Sequence, residues 1–135
     1  MKITPELYIL VLAISMTMLM WIPYTVARIF KRGLIAALGN PHPSLPTESE
    51  WALRAKSAHL NAIENIAIFA PLVIILSMMN LSFESTILAT KVYLIARLVH
   101  YIVYSAGIPI VRTLAFLTGF GATTVIAITI LGQIM

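Results

Sequence analysis

The chain has 135 residues, 60% of them hydrophobic and only 10% charged, and its mean hydropathy of +0.96 sets it apart from soluble domains, which are roughly 45–50% apolar. A soluble core of this size cannot hide so many Leu, Ile, Val, Met and Ala side chains from water, whereas a bilayer accepts them all, so a water-soluble domain is excluded. The net charge of +4 comes from nine basic residues against five Glu and no Asp; the basic residues flank or interrupt apolar runs, which argues against a nucleic-acid surface, and the absence of Cys removes both a disulfide framework and a protein thiol nucleophile.

A spanning helix needs about 20 mainly apolar residues to cross a hydrocarbon core of roughly 30 Å, and four stretches qualify. The first runs from about Pro5 to Phe30. Its apolar run continues past signal-peptide length and lacks a small-residue cleavage site, so a retained helix is expected. Pro5 suits a helix start, Pro23 predicts a kink, and Trp21 and Tyr24 approach the basic end formed by Arg28, Lys31 and Arg32. From Gly33 to Ser49 the residues Gly39, Asn40, Pro41, Pro43 and Pro46 forbid continuous helix and predict one long loop. The second helix starts near Trp51, where Thr47-Glu48-Ser49-Glu50 offers a cap and an acidic first turn, and ends around Asn80. The third runs from about Ser85 to Gly107 and the fourth from about Arg112 to Ile134, joined by a turn containing Gly107 and Pro109. The fold class expected is all-α: an integral membrane four-helix bundle forming one domain over residues 1–135.

Arg28, Lys31, Arg32, Arg54, Lys56 and Arg112 fall toward the face that carries the first and third loops, and Lys2 and Lys91 toward the other. By the positive-inside rule the long loop is expected in the cytoplasm and both termini across the membrane.

The second helix carries Arg54, Ser57, Asn61 and Glu64 at i, i+3, i+7 and i+10, with Asn65 beside them, a polar stripe unsuited to lipid. The third carries Arg97, His100, Tyr101 and Tyr104. Counted from their ends of the helices, Glu64 and Arg97 both lie about 15 Å deep, so pairing between them is expected. An isolated charge in hydrocarbon costs at least about 2.5–3.5 kcal/mol on insertion scales. Arg112 and Thr113 open the fourth helix at the same end. Arg54, Lys56, Arg97 and Arg112 outnumber the single Glu64 on this side, and an excess of cations attracts an anion; the planar fork of Arg suits carboxylates. A purely structural reading of the same residues, as clamps between helices, also stands. His59 and His100 lack further His, Cys or Asp to make a metal site, and none is expected. His42, between two prolines, is read as solvated, and Gly119, Gly121 and Ala122 as small residues for close helix packing.

With the second-helix stretch R-x-x-x-A-H-x-N-x-x-E-N, Arg54 to Asn65, and the third-helix Arg97-x-x-His100-x-x-x-Tyr104 followed by Arg112-Thr113, the chain resembles the MAPEG family, membrane-associated proteins in eicosanoid and glutathione metabolism. The resemblance implies a left-handed bundle assembled as a homotrimer, with glutathione bound as co-substrate between neighbouring subunits near the cytoplasmic side. It further implies that Arg54 and Arg97 hold glutathione carboxylates, that Asn61 and Glu64 hold its amine or orient the arginines, with Ser57 and His100 also in the binding set, and that Arg112 with Tyr104 or Thr113 holds the sulfur. Glutathione-using members resemble R-x-x-R-A-H-R-N-D-x-E, and this chain departs from that pattern at Ser57, Leu60 and Ala62.

The function this implies is a glutathione-dependent membrane transferase or peroxidase acting on small hydrophobic electrophiles or lipid hydroperoxides that arrive from the membrane lipids. The reactive sulfur belongs to glutathione, its thiolate stabilised by nearby cations. Two alternatives remain at this point: a small four-helix multidrug-type transporter using Glu64, and a non-catalytic scaffold or lipid-binding protein of the same family. The sidedness is testable directly, because the chain has no Cys of its own. A Cys placed at Ser44 is expected to resist impermeant maleimide in intact cells and to react once the membrane is opened; labelling in intact cells would reverse the topology.

Overall fold

The computed structural model describes residues 3–135; Lys2, expected on the face away from the long loop, lies outside the described residues. Helix starts and stops follow from backbone groups that need partners. Thr4 caps the first helix, its hydroxyl accepting from the Leu7 N–H at 3.3 Å, and Pro5 takes the first helical position, where a missing N–H does no harm. This helix, α1 (Pro5–Leu19), passes through Met20 into α2 (Trp21–Arg32). The break lies where Pro23 predicts one: the proline cannot donate to the carbonyl four residues back, that of Leu19, and crowds it. The neighbouring Met20 carbonyl accepts instead from the Tyr101 hydroxyl at 2.8 Å.

The long connection differs from its expected form. Residues Leu34–Leu38 make a short helix, α3, between Gly33, whose φ of +80° favours glycine, and Gly39. Arg32 Nε donates to the Pro46 carbonyl at 2.7 Å, and Glu48 binds Arg28 Nε at 2.7 Å and Arg32 Nη1 at 3.3 Å. Ser49 holds the N-cap position of α4 (Glu50–Met78), but its side chain makes no capping bond. The nearby acid, Glu48, instead ties the loop to α2.

α5 (Glu84–Ala106) and α6 (Pro109–Ile134) complete four spans long and apolar enough to cross a membrane. Both connecting turns use the same device. At the end of α4, Asn80 takes φ +55°, Asn80 N–H donates to Ser77 O and Leu81 N–H to Leu76 O. At the end of α5, Gly107 takes φ +81°, Gly107 N–H donates to Tyr104 O and Ile108 N–H to Val103 O. This double bond pattern closes a helix with a left-handed residue and satisfies its last carbonyls. Pro109 then starts α6 three residues earlier than the expected Arg112, because proline suits the first helical turn.

α5 and α6 pack along most of their length, α4 packs against both, and α1 against α4 and α5. The apolar core, with Leu10, Phe69, Val73, Leu76, Tyr93 and Ile126, fills the half away from the loop; there the rings of Phe69 and Tyr93 stack at 3.6 Å. Most other large apolar side chains face outward, as expected of a protein whose solvent is lipid.

Glu6 is a buried carboxylate that the sequence reading passed over. It sits in the first turn of α1, 1% exposed, and accepts from Ser82 Oγ at 3.0 Å and Thr86 Oγ1 at 2.6 Å. These bonds fasten the start of α1 to the α4–α5 turn. Hydrogen bonds to charged groups contribute about 1.5–3 kcal/mol, so Thr86→Val is expected to lower the thermal unfolding midpoint in detergent clearly, and Ser85→Ala, at an exposed neighbour, to leave it unchanged. Equal midpoints for the two variants would show that the Glu6 cluster does not hold the bundle together.

Candidate functional site

In the loop half of the bundle the inner face of α4 is a run of alanines: Ala52, Ala55, Ala58 and Ala62 are all buried. Their short side chains let α4 lie close to its neighbours and displace the polar stripe to one side. Asn61 and Arg54 are consequently half-buried, while Ser57 and Glu64 are exposed on the outer face.

Arg97 is the pivot of the inner side. It is 2% exposed, and its Nη1 donates to Asn61 Oδ1 at 3.1 Å. The guanidinium carbon lies 5.9 Å from the Tyr93 ring centre and 5.4 Å from that of Phe116, where aromatic faces attract a cation. Nε and Nη2 are buried with no hydrogen-bond partner. Gly119 makes this position possible, since a Cβ there would stand 3.0 Å from Arg97 Nε. The expected pair with Glu64 does not form: among the described residues Glu64 has no ion pair, because it points away from the side of α4 that Asn61 presents to Arg97.

Next to this pair lies a cavity of about 240 Å³ lined by Asn61, His100, Tyr104, Arg112, Thr113 and Phe116. Five of these were singled out from sequence. The sixth, Phe116, follows Arg112 by one helical turn and faces both Arg97 and His100, a placement that the i, i+4 spacing alone signals. The Arg112 guanidinium lies 4.4 Å from the Tyr104 ring centre, and His100 meets the Tyr104 ring edge-on at 5.5 Å. Thr113 Oγ1 donates to the Pro109 carbonyl at 3.1 Å, which leaves its oxygen only as an acceptor.

Arg54, Ser57 and Glu64 are not among the residues lining the cavity. Arg54 Nε donates to the Ser105 carbonyl at 3.0 Å, beside Gly107, where a cation suits the negative end of α5, and its Nη1 lies 3.7 Å from Glu50 Oε2. The Ser57 hydroxyl donates to Leu53 O. His59 is hydrogen-bonded to the Tyr24 hydroxyl at 2.9 Å, joining α2 to α4, and His42 is exposed in the loop beside Ser44. Among the described residues no three His, Cys, Asp or Glu side chains gather as metal ligands would.

Charge decides what this arrangement suits. Neither Arg97 nor Arg112 has a carboxylate partner among the described residues; Arg112 lines the cavity together with amide and hydroxyl groups, and Arg97 is buried behind Asn61, to which it donates. The class so defined is a multi-pass integral membrane protein, a four-helix bundle with a cationic polar cavity at one end. The chain belongs to the MAPEG family, whose model matches residues 6–132, nearly its whole length; the family consists of membrane proteins associated in general with glutathione and eicosanoid metabolism. Comparison with curated proteins gives no match.

The geometry predicts which pairs are energetically coupled. In a double-mutant cycle read by thermal unfolding in detergent, Asn61→Ala and Arg97→Met are expected to couple by about 0.5–3 kcal/mol, whereas Glu64→Gln and Arg97→Met add independently. Coupling found only in the second pair would mean that Arg97 is held by Glu64 after all.

Proposed function

We propose that the protein is a glutathione-dependent transferase or peroxidase acting on hydrophobic electrophiles or lipid hydroperoxides, and that it works as a homotrimer with the long loop in the cytoplasm. The observation that carries this reading is a cavity where Arg112, without a carboxylate partner among the described residues, stands with Asn61, Tyr104 and Thr113, and behind which a second unpaired cation, Arg97, is buried and donates to Asn61. A tripeptide with two carboxylates and a thiol supplies the negative charge such a site lacks.

Two features favour a site shared between copies. A cavity of about 240 Å³ is small beside the roughly 300–1,000 Å³ of ligand pockets. Glu64 is exposed within a membrane span, where a charge facing lipid costs about 2.5–3.5 kcal/mol or more, and a neighbouring subunit relieves that cost. On this reading Arg54, Ser57 and Glu64 meet ligand or partner across the subunit boundary. The transporter alternative loses its footing with the chain's membership of a family of another kind.

Arg112 is assigned to the sulfur. It sits in the first turns of α6 over Tyr104, and a cation beside a thiol favours the thiolate. The thiolate then attacks the electrophilic carbon of a transferase substrate, displacing its leaving group or adding to a conjugated double bond, or attacks the distal peroxide oxygen of a hydroperoxide, breaking the O–O bond so that glutathione sulfenic acid forms and the alkoxide leaves as the alcohol after protonation. A second glutathione reduces the sulfenic acid to the disulfide and water. Arg97 and Asn61 hold the peptide.

Ultraviolet thiolate absorbance during a pH titration tests this assignment. Bound glutathione is expected to ionise at lower pH than free glutathione. Arg112→Ala is expected to lower the thiolate fraction about tenfold at a fixed pH below the midpoint, equivalent to about 1.4 kcal/mol, with a smaller change in binding measured by calorimetry. Bound glutathione that titrates as it does in free solution would point to a non-catalytic scaffold. If Tyr104→Phe removes the shift while Arg112→Ala does not, the sulfur is held by the Tyr104 hydroxyl; the same result for Thr113→Ala would mean that its hydroxyl leaves the Pro109 carbonyl to donate to the sulfur.

A further inference from the structure

A second cationic cleft lies under the long loop, apart from the cavity between α4, α5 and α6. It measures about 280 Å³ and is lined by Arg28, Arg32 and Lys56, by Glu48, and by the small residues Ala36 and Ala37 of α3. Three cations face one carboxylate. Glu48 holds Arg28 and Arg32 through Oε1, and Pro46 O fixes Arg32 Nε, so both guanidinium groups are set in place while N–H donors remain on each. Lys56 is exposed and has no carboxylate partner among the described residues. The Glu48 side chain is only 10% exposed, and its second oxygen is buried without a partner; the cations at the cleft are thus built on a fixed, nine-tenths-buried support and are not merely mobile surface groups.

The surroundings say where the ligand comes from. Phe30 is 86% exposed and Ile35 89% exposed, and Leu34 and Leu38 also point outward, while Ala36 and Ala37 of the same short helix turn toward the cleft. α2 ends at Arg32 and α4 begins at Glu50, so the cleft sits where two apolar spans leave the hydrocarbon. A free anion in water would use the cations and none of this apolar rim. A molecule with a phosphate joined to acyl chains uses both, and basic pockets between membrane helices at this level suit acidic headgroups.

We propose that this cleft binds the phosphate headgroup of an anionic membrane phospholipid, with Arg28, Arg32 and Lys56 around the phosphate and Phe30, Leu34, Ile35 and Leu38 beside the acyl chains. Occupancy adds an anion to a net-cationic cluster and so fastens the loop, α2 and the start of α4 to one another.

The test is thermal unfolding of the detergent-purified full chain with dioleoylphosphatidylglycerol, dioleoylphosphatidylcholine or inorganic phosphate, with bound lipid counted by native mass spectrometry. Phosphatidylglycerol is expected to raise the midpoint and remain bound, the other two to have little effect. Lys56→Gln is expected to weaken phosphatidylglycerol binding about fivefold, Lys56→Arg to retain it, and Lys91→Gln, the same charge change at a distant position, to leave it unaltered. Lys56 is exposed, and each variant's midpoint without lipid reports whether it folds. The proposal is overturned if inorganic phosphate reproduces the stabilisation and displaces the lipid, or if Lys91→Gln weakens binding as much as Lys56→Gln does, which would mark a general surface attraction. It is also overturned if Lys56→Gln lowers glutathione affinity while sparing phosphatidylglycerol, which would assign the cluster to the thiol site.

Discussion

A guanidinium buried among membrane helices imposes more on its surroundings than any apolar residue does. Arg97 cannot be solvated by lipid, so every side chain around it supplies something the hydrocarbon lacks. Asn61 gives an oxygen, Tyr93 and Phe116 give ring faces, and Gly119 gives space. These residues lie on α4, α5 and α6, so meeting the needs of one charge fixes three helices at one level. The donors left over, Nε and Nη2, are the part of that demand the protein itself does not meet. Buried polar groups are rarely left without a partner, so this is the point where the packing of the three helices leaves a charge incompletely matched.

The far end of the bundle solves the opposite problem by different means. Glu6 is as deeply buried as Arg97, yet its carboxylate is met by the hydroxyls of Ser82 and Thr86. Between the two charges lies the apolar core with its stacked Phe69 and Tyr93. The division gives the halves separate duties: one end ties the helices together, the middle fills space, and the loop end keeps unmatched positive charge.

Much of this was legible in the sequence, and what was not fails for identifiable reasons. Four spans and their turns follow from apolar length and from Gly107, Pro109 and the loop prolines. The residues around the cavity also stood out, because Asn, His, Tyr and Arg inside an apolar helix are conspicuous. Counting residues from a helix end yields height and not direction around the axis. Glu64 and Arg97 share a height, but the alanine face at Ala52, Ala55, Ala58 and Ala62 turns Glu64 outward and Asn61 toward Arg97; those small residues at three- and four-residue spacing held the missing information. Glu6 was overlooked because an acid in a first helical turn is already explained by the helix dipole, while its hydroxyl partners lie 76 and 80 residues away in the chain. The short helix α3 escaped because five residues between two glycines carry too little periodic pattern to declare themselves.

The break at Met20 gives the first span a property the other three do not share. Its upper piece is fastened by Glu6 and its lower piece by Arg28, Arg32 and the contact of Tyr24 with His59, so its two ends are anchored to different parts of the bundle. A continuous rod answers a change in bilayer thickness by tilting as a whole. Here Met20 keeps helical angles, φ −63° and ψ −17°, and its carbonyl accepts from the Tyr101 hydroxyl, so the interruption itself is tied to α5. The interrupted span is thus also the one that contributes no residue to the cavity, and it braces the cavity's helices from outside, through Tyr101 of α5 and His59 of α4.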